Sequence, residues 1–196
     1  YGDHRDLHLS IRRQRQMCIR DRYQPEGLWK EIASQAYDQG SGEDLYRRGM
    51  YTFWKRTVPP PTMVTFDASS REICVLSRSR TNTPLQALAL LNEVSYVEAA
   101  RNLAQQMMKR ESDEGDRLRW GWRQVTSRQP TDYEMSILSK SLQRSLERYS
   151  KDQQAAIELI AFGESIADES LKPHQLAAYT VIASMLLNLD EVINRE

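Results

Sequence analysis

Beyond Thr83, apolar residues recur every three or four positions, the period of helices that bury one face; the first third of the chain has no single period. In that first third, Leu28, Trp29, Ile32, Ala33 and Ala36 predict a short helix between the turn Pro25-Glu26-Gly27 and a flexible connector, Gly40-Ser41-Gly42. Tyr51, Phe53 and Lys55 alternate with Met50, Thr52 and Trp54, which predicts a short strand or extended segment, and Pro59-Pro60-Pro61 then predicts a stiff polyproline stretch. Residues 62–82 read as an irregular loop, with a turn at Asp67-Ala68-Ser69-Ser70 and a short strand at Ile73-Cys74-Val75-Leu76.

The helices follow in order. A hydroxyl at Thr83 and a proline at 84 mark a helix start, since one accepts from a free amide and the other removes one. Leu85, Leu88 and Leu91 then form the expected buried stripe. After a break at Asn92, Val97, Ala100, Leu103, Ala104 and Met107 continue toward the polar break Ser112–Gly115. Leu118, Trp122 and Val125 define a third helix, closed by Arg128-Gln129-Pro130 because the residue before proline disfavours helical geometry. Thr131 and Glu134 have capping-box spacing and lead into Met135, Leu138, Leu142, Leu146 and Tyr149. Ala155–Phe162 is a further apolar helix stopped at Gly163, and Glu164–Lys172 reads as an acidic, exposed loop. The helix from Pro173 is apolar on most faces, which suits the middle of a bundle, and polar interruptions leave no stretch able to span a membrane. The pattern therefore predicts a mainly α protein, a helical bundle with a short extended segment and an irregular loop in its N-terminal third. It is read as one domain over 23–196 behind a tail at 1–22.

Charge changes the picture mainly by exclusion. Among 196 residues, 27 Lys+Arg balance 27 Asp+Glu, so the broad positive field that draws a protein to nucleic acid is absent. Residues 1–22 hold six arginines against three aspartates, which leaves the body mildly acidic. Ser10–Arg22 resembles translated sequencing-adapter read-through of metagenomic reading frames and is set aside; a basic tail for acidic partners is the competing reading. Cys18 and Cys74 form no haem-attachment or zinc spacing, so redox compartment cannot be read from them, and His174 stands alone outside the tail. No metal site is expected. Cys74, in an apolar tetrad, is expected to be buried.

Several blocks carry a resemblance: Tyr23-Gln24-Pro25-Glu26-Gly27-Leu28-Trp29; Glu43–Arg48 running into Tyr51–Thr57; Thr65-Phe66-Asp67 through Arg78-Ser79-Arg80-Thr81-Asn82-Thr83-Pro84-Leu85-Gln86-Ala87-Leu88; and Leu186-Leu187-Asn188-Leu189-Asp190-Glu191. Together they resemble the planctomycete domain of unknown function 1553, the PSD-one domain. The resemblance implies the C-terminal part of a large exported protein, at the periplasm or cell surface, often with an upstream cytochrome-c-like domain and a second uncharacterised domain. It implies no cofactor within this fragment and supplies no catalytic residue.

The densest polar chemistry is Asp67, Arg71, Glu72, Arg78, Arg80, Asn82 and Gln86, beside the helix start at Pro84. Three guanidiniums near helix amides suit a carboxylate, sulfate or phosphate; a purely structural network of ion pairs is the competing account. Asp67 and Glu72 are candidates for a glycosidase carboxylate pair. Tyr51, Phe53 and Trp54 beside Lys55 and Arg56 suit either ring stacking or core packing. Trp120 and Trp122 flank Gly121 and cannot both face inward, which points to an interface. Two functions follow: an interaction or scaffold domain that packs on upstream domains of the same polypeptide, or a polysaccharide- or anion-binding or processing module using Asp67–Gln86. Whether the chain is an enzyme stays open at the level of sequence.

Overall fold

In the computed structural model of this chain, the described residues are 23, 39–46, 52, 54, 59–70, 74–77, 79 and 81–194. The predicted helix over 28–36, and Tyr51, Phe53, Lys55 and Arg56 of the aromatic segment, lie outside them. The chain divides into two units, Tyr1–Arg80 and Thr81–Glu196.

In the first unit, the expected connector at Gly42 instead opens a 3-10 helix, Gly42–Tyr46, with Gly42 in the left-handed region at φ +60 and Leu45 buried. Thr52 forms an isolated β-bridge and is buried. The polyproline stretch is shorter than expected. Pro60 has polyproline geometry (φ −57, ψ 124), but Pro61 starts helix α1, Pro61–Thr65, inside the segment read as irregular. Proline's fixed φ suits the first helical position, and the Thr65 hydroxyl donates to the Pro61 carbonyl at 2.9 Å. Asp67 then turns the chain at φ +55. The expected strand at 73–76 is not seen over its described part. Cys74, Val75 and Leu76 are exposed and a bend follows, so Cys74 is not the buried thiol its neighbours suggested. An apolar tetrad is buried as a strand only where a sheet receives it, and among the described residues the sole bridge is at Thr52.

The second unit is helical throughout: α2 Pro84–Asn92, α3 Val94–Arg110, α4 Glu114–Thr126, α5 Asp132–Lys151, α6 Gln153–Ile160, α7 Pro173–Leu187 and α8 Asp190–Ile193. Its centre is α7, which packs most heavily on α3, α5 and α6 and more lightly on α4 and α2. That placement follows from a helix apolar on nearly every face: Leu176, Ala177, Ala178, Tyr179, Thr180, Ile182, Ala183 and Leu186 are all buried. Leu118, Leu142, Leu176, Ile182 and Leu186 are fully buried, each contributing roughly 1.5–3 kcal/mol. Gly121 faces Met107 where α3 and α4 meet: a Cβ there would lie 2.7 Å from Met107 Sδ, so any larger residue requires that side chain to move.

Local signals set the boundaries. Thr131 Oγ1 accepts from the Glu134 amide and the Glu134 carboxylate accepts from the Thr131 amide, so the α5 capping box forms as its spacing predicts. α4 ends at Ser127 in the left-handed region (φ +63), ahead of the proline expected to stop it. The buried stripe of α2 is a correction. Leu85, Leu88 and Leu91 are 61%, 57% and 47% exposed, and Gln86 and Leu90 face inward instead. Six of the helix's nine residues are apolar, so apolar spacing does not fix its rotation; Gln86 does. Its Oε1 accepts from the Thr83 amide at 2.9 Å and its Nε2 donates to Thr81 Oγ1 at 2.9 Å, which satisfies both ends of a side chain only 1% exposed. The loop 164–172 also differs from expectation, because Ser165, Ala167, Asp168 and Leu171 are partly buried.

Candidate functional site

Of the seven proposed ligand-binding residues, Arg71, Glu72, Arg78 and Arg80 lie outside the described residues. Asp67 belongs to the first unit; Asn82 and Gln86 belong to the second. Gln86 is the buried anchor of the α2 start, while Asn82 is exposed and its amide donates to Asp190 Oδ1 at 2.6 Å. The Thr81–Gln86 segment and α8 therefore meet at one corner of the bundle, although 108 residues separate Asn82 from Asp190.

Asp190 Oδ1 also accepts from Asn194 Nδ2 at 2.9 Å, and Asn188 Nδ2 reaches the Ala87 carbonyl at 3.5 Å. The hydrogen bonds from Asn194 and then Asn82 pull the Asp190 carboxyl below the usual carboxylate range. On the other side of α8, the Arg128 guanidinium spans two carboxylates. It donates to Glu191 at 2.8 and 3.0 Å and to Glu134 at 2.6 and 3.0 Å, while lying 4.8 Å over the Trp122 ring. Arg128 above all, and then the Thr131 amide, hold the Glu134 carboxyl down at about 2. Neighbouring Glu134 and Glu191 in turn raise the Arg128 guanidinium.

These side chains were not singled out as candidates in the sequence. Asn188, Asp190 and Glu191 did lie in the final resemblance block, and that recurrence of polar residues behind an apolar helix was the available signal. At α2 itself the helix-start donors are largely engaged: Pro84 has no amide, the Gln86 amide goes to Thr83 Oγ1 at 3.3 Å, and the Thr83 amide goes to Gln86. The shifts in this corner keep carboxylates ionised, the opposite of what a general acid for glycoside cleavage requires.

A second polar cluster lies on α3. Glu98 and Arg101, 1% and 0% exposed, form a buried pair at 3.7 Å. Arg101 donates to the carbonyls of Ile160, Phe162 and Ser165 and to the Ser165 hydroxyl, and Glu98 accepts from the Ser165 amide at 2.7 Å. Its sequence signal is an i, i+3 pair of opposite charge set among the apolar positions Val97, Ala100 and Ala104 of an amphipathic helix. Trp122 is buried and Trp120 only partly so, with Arg110 5.6 Å over its ring. Among the described residues no three His, Cys, Asp or Glu side chains gather as a metal cage would need, and no helix is long and apolar enough to cross a membrane.

The exposed leucines of α2 adjoin an apolar cleft of ≈ 170 Å³ lined by Leu91, Val97, Tyr149, Leu159, Val181 and Met185 among others. Leu91 belongs to both, so row and cleft form a continuous apolar surface.

The sequence model of the PSD1 family, described as "Protein of unknown function (DUF1553)", matches residues 5–142. The match begins within the 1–22 tail, spans the Ser10–Arg22 segment read as foreign, and ends before the Leu186–Glu191 block. No curated protein and no solved structure matches the chain.

Proposed function

We propose that this chain, which belongs to the PSD1 (DUF1553) family of proteins of unknown function, is an interaction or scaffold domain that packs against upstream domains of its own polypeptide. The setting we propose is an exported, planctomycete-type protein with a cytochrome-c-like domain ahead of this part, which itself works without a bound cofactor. That setting rests on the resemblance of the sequence blocks alone.

The observation that carries the scaffold reading is the outward row Leu85, Leu88, Leu91, continuous with the apolar cleft and mounted on a helix whose rotation Gln86 fixes. Three half-exposed leucines on a helix about 13 Å long offer far less than the roughly 800 Å² per partner of a stable free complex. A partner tethered in the same chain needs less, because tethering raises its effective concentration to the millimolar range. The rival reading, anion or polysaccharide binding along Asp67–Gln86, is less well supported because the described donors at the α2 start serve the cap.

The test is thermal unfolding of the Leu85→Ser/Leu88→Ser variant, in this chain and in the longer polypeptide. The scaffold reading expects little change in the former and a lowered transition in the latter. An equal effect in both would count against it. For the rival, sulfated-glycan binding that weakens with salt and is lost in Arg78→Ala and Arg80→Ala would overturn the preference.

A further inference from the structure

The connection from α6 to α7, residues 161–172, is held to α3 by polar contacts rather than by burial. Its apolar residues are mostly turned out: Phe162 is 43% and Ile166 88% exposed, and only Ala167 and Leu171 pack partly against the core. Its attachments come instead from one face of α3. Glu98, Arg101, Gln105 and Lys109 are spaced at three and four residues, which puts them on one side of a helix. Glu98 takes the Ser165 amide, Arg101 gathers the three carbonyls and the Ser165 hydroxyl, and Lys109 pairs with Asp168. Asp168 then organises the far end, accepting from the Ser170 amide at 2.8 Å while its carbonyl accepts from the Leu171 amide at 3.2 Å.

The same seam carries a cost. Arg101 Nε is buried with no hydrogen-bond partner, as is Gln105 Nε2 on the same helix face, so closure holds the Arg101 guanidinium incompletely satisfied and opening would let water reach it. A segment with few apolar contacts and imperfectly satisfied polar ones is the kind that opens locally. We propose that residues 161–172 form a strap that opens as one unit while the helices stay packed, with the buried Glu98–Arg101 pair as its latch. Opening turns the Glu98, Arg101 and Gln105 face of α3 into accessible surface beside Lys109, which is exposed already.

Native-state hydrogen exchange on this chain, in denaturant below the unfolding transition, tests the proposal. The Ser165, Ser170 and Leu171 amides should exchange faster than that of Ile182 in α7, with little dependence on denaturant. Leu142→Ala, which weakens the core but not the strap, should speed Ile182 by about a hundredfold and leave the three strap amides unchanged. Glu98→Gln should speed all three strap amides together by about tenfold or more. Strap amides that follow Ile182 in denaturant or in Leu142→Ala would overturn the proposal, as would acceleration of Ser165 alone in Glu98→Gln. The denaturant series on the unmodified chain decides the first point even if a variant fails to fold.

Discussion

Gly163 sits at φ +94 with the Glu98 side chain packed where a Cβ would project. Its substitution meets two obstacles, a backbone region that L residues avoid and a buried charged group that cannot retreat without abandoning Ser165. Gly163→Ala should cost about 1–3 kcal/mol, read as a lowered denaturant midpoint at unchanged slope. Glu134 responds to pH in a defined window. Folding lowers its pKa from 4.5 to about 2, so it contributes stability that is complete above 4.5 and is lost as pH falls toward 2. Glu134→Gln keeps a side chain able to cap but removes the charge facing Arg128. The stability gap between the two proteins, followed by urea unfolding, should close as the solution is acidified from about pH 7 through that window. A gap constant with pH would show that the Arg128 pairing contributes nothing. Asp168 and Asp190 are shifted the same way and keep the variant itself acid-sensitive.

Among the elements, α2 makes the most discriminating case because its rotation is set by one polar residue. Leu90 is 9% exposed and Leu88 57%, although both are leucines on a nine-residue helix. Leu90→Ala should cost about 2–5 kcal/mol and Leu88→Ala within about 0.5 kcal/mol of nothing, a contrast that chemical denaturation resolves easily. The reverse order would mean that the apolar spacing, not Gln86, sets the helix. Helices with one clear apolar stripe were legible in sequence: Leu118, Trp122 and Val125 are buried as their spacing predicts, and so are Leu138, Leu142 and Tyr149. The α5 start was legible because a capping box is a local chemical pattern. α2 was not, since an almost wholly apolar segment has no unique face. The strand expected at 73–76 failed for a related reason: strand burial is decided by a sheet elsewhere, which four residues cannot announce.

At the scale of the molecule, the bundle is organised around α7, and its all-round apolarity announced that position. The polar corner was half legible. Asn82 and Gln86 were marked by their place at a helix start; the partner of Asn82 lies over a hundred residues away, whereas Gln86 stands three residues after Thr83, a capping-box spacing that the sequence displays and that went unread. The buried Arg101 was missed because burial of a guanidinium depends on carbonyls supplied by a distant loop. The exposed α2 row and the cleft it adjoins are the surface on which the scaffold reading rests. Its most direct measurement is thiol labelling of Leu88→Cys in a Cys18→Ser/Cys74→Ser background. The reading predicts rapid labelling in this chain and protection in the longer polypeptide with its upstream domains; equal labelling in both would contradict it.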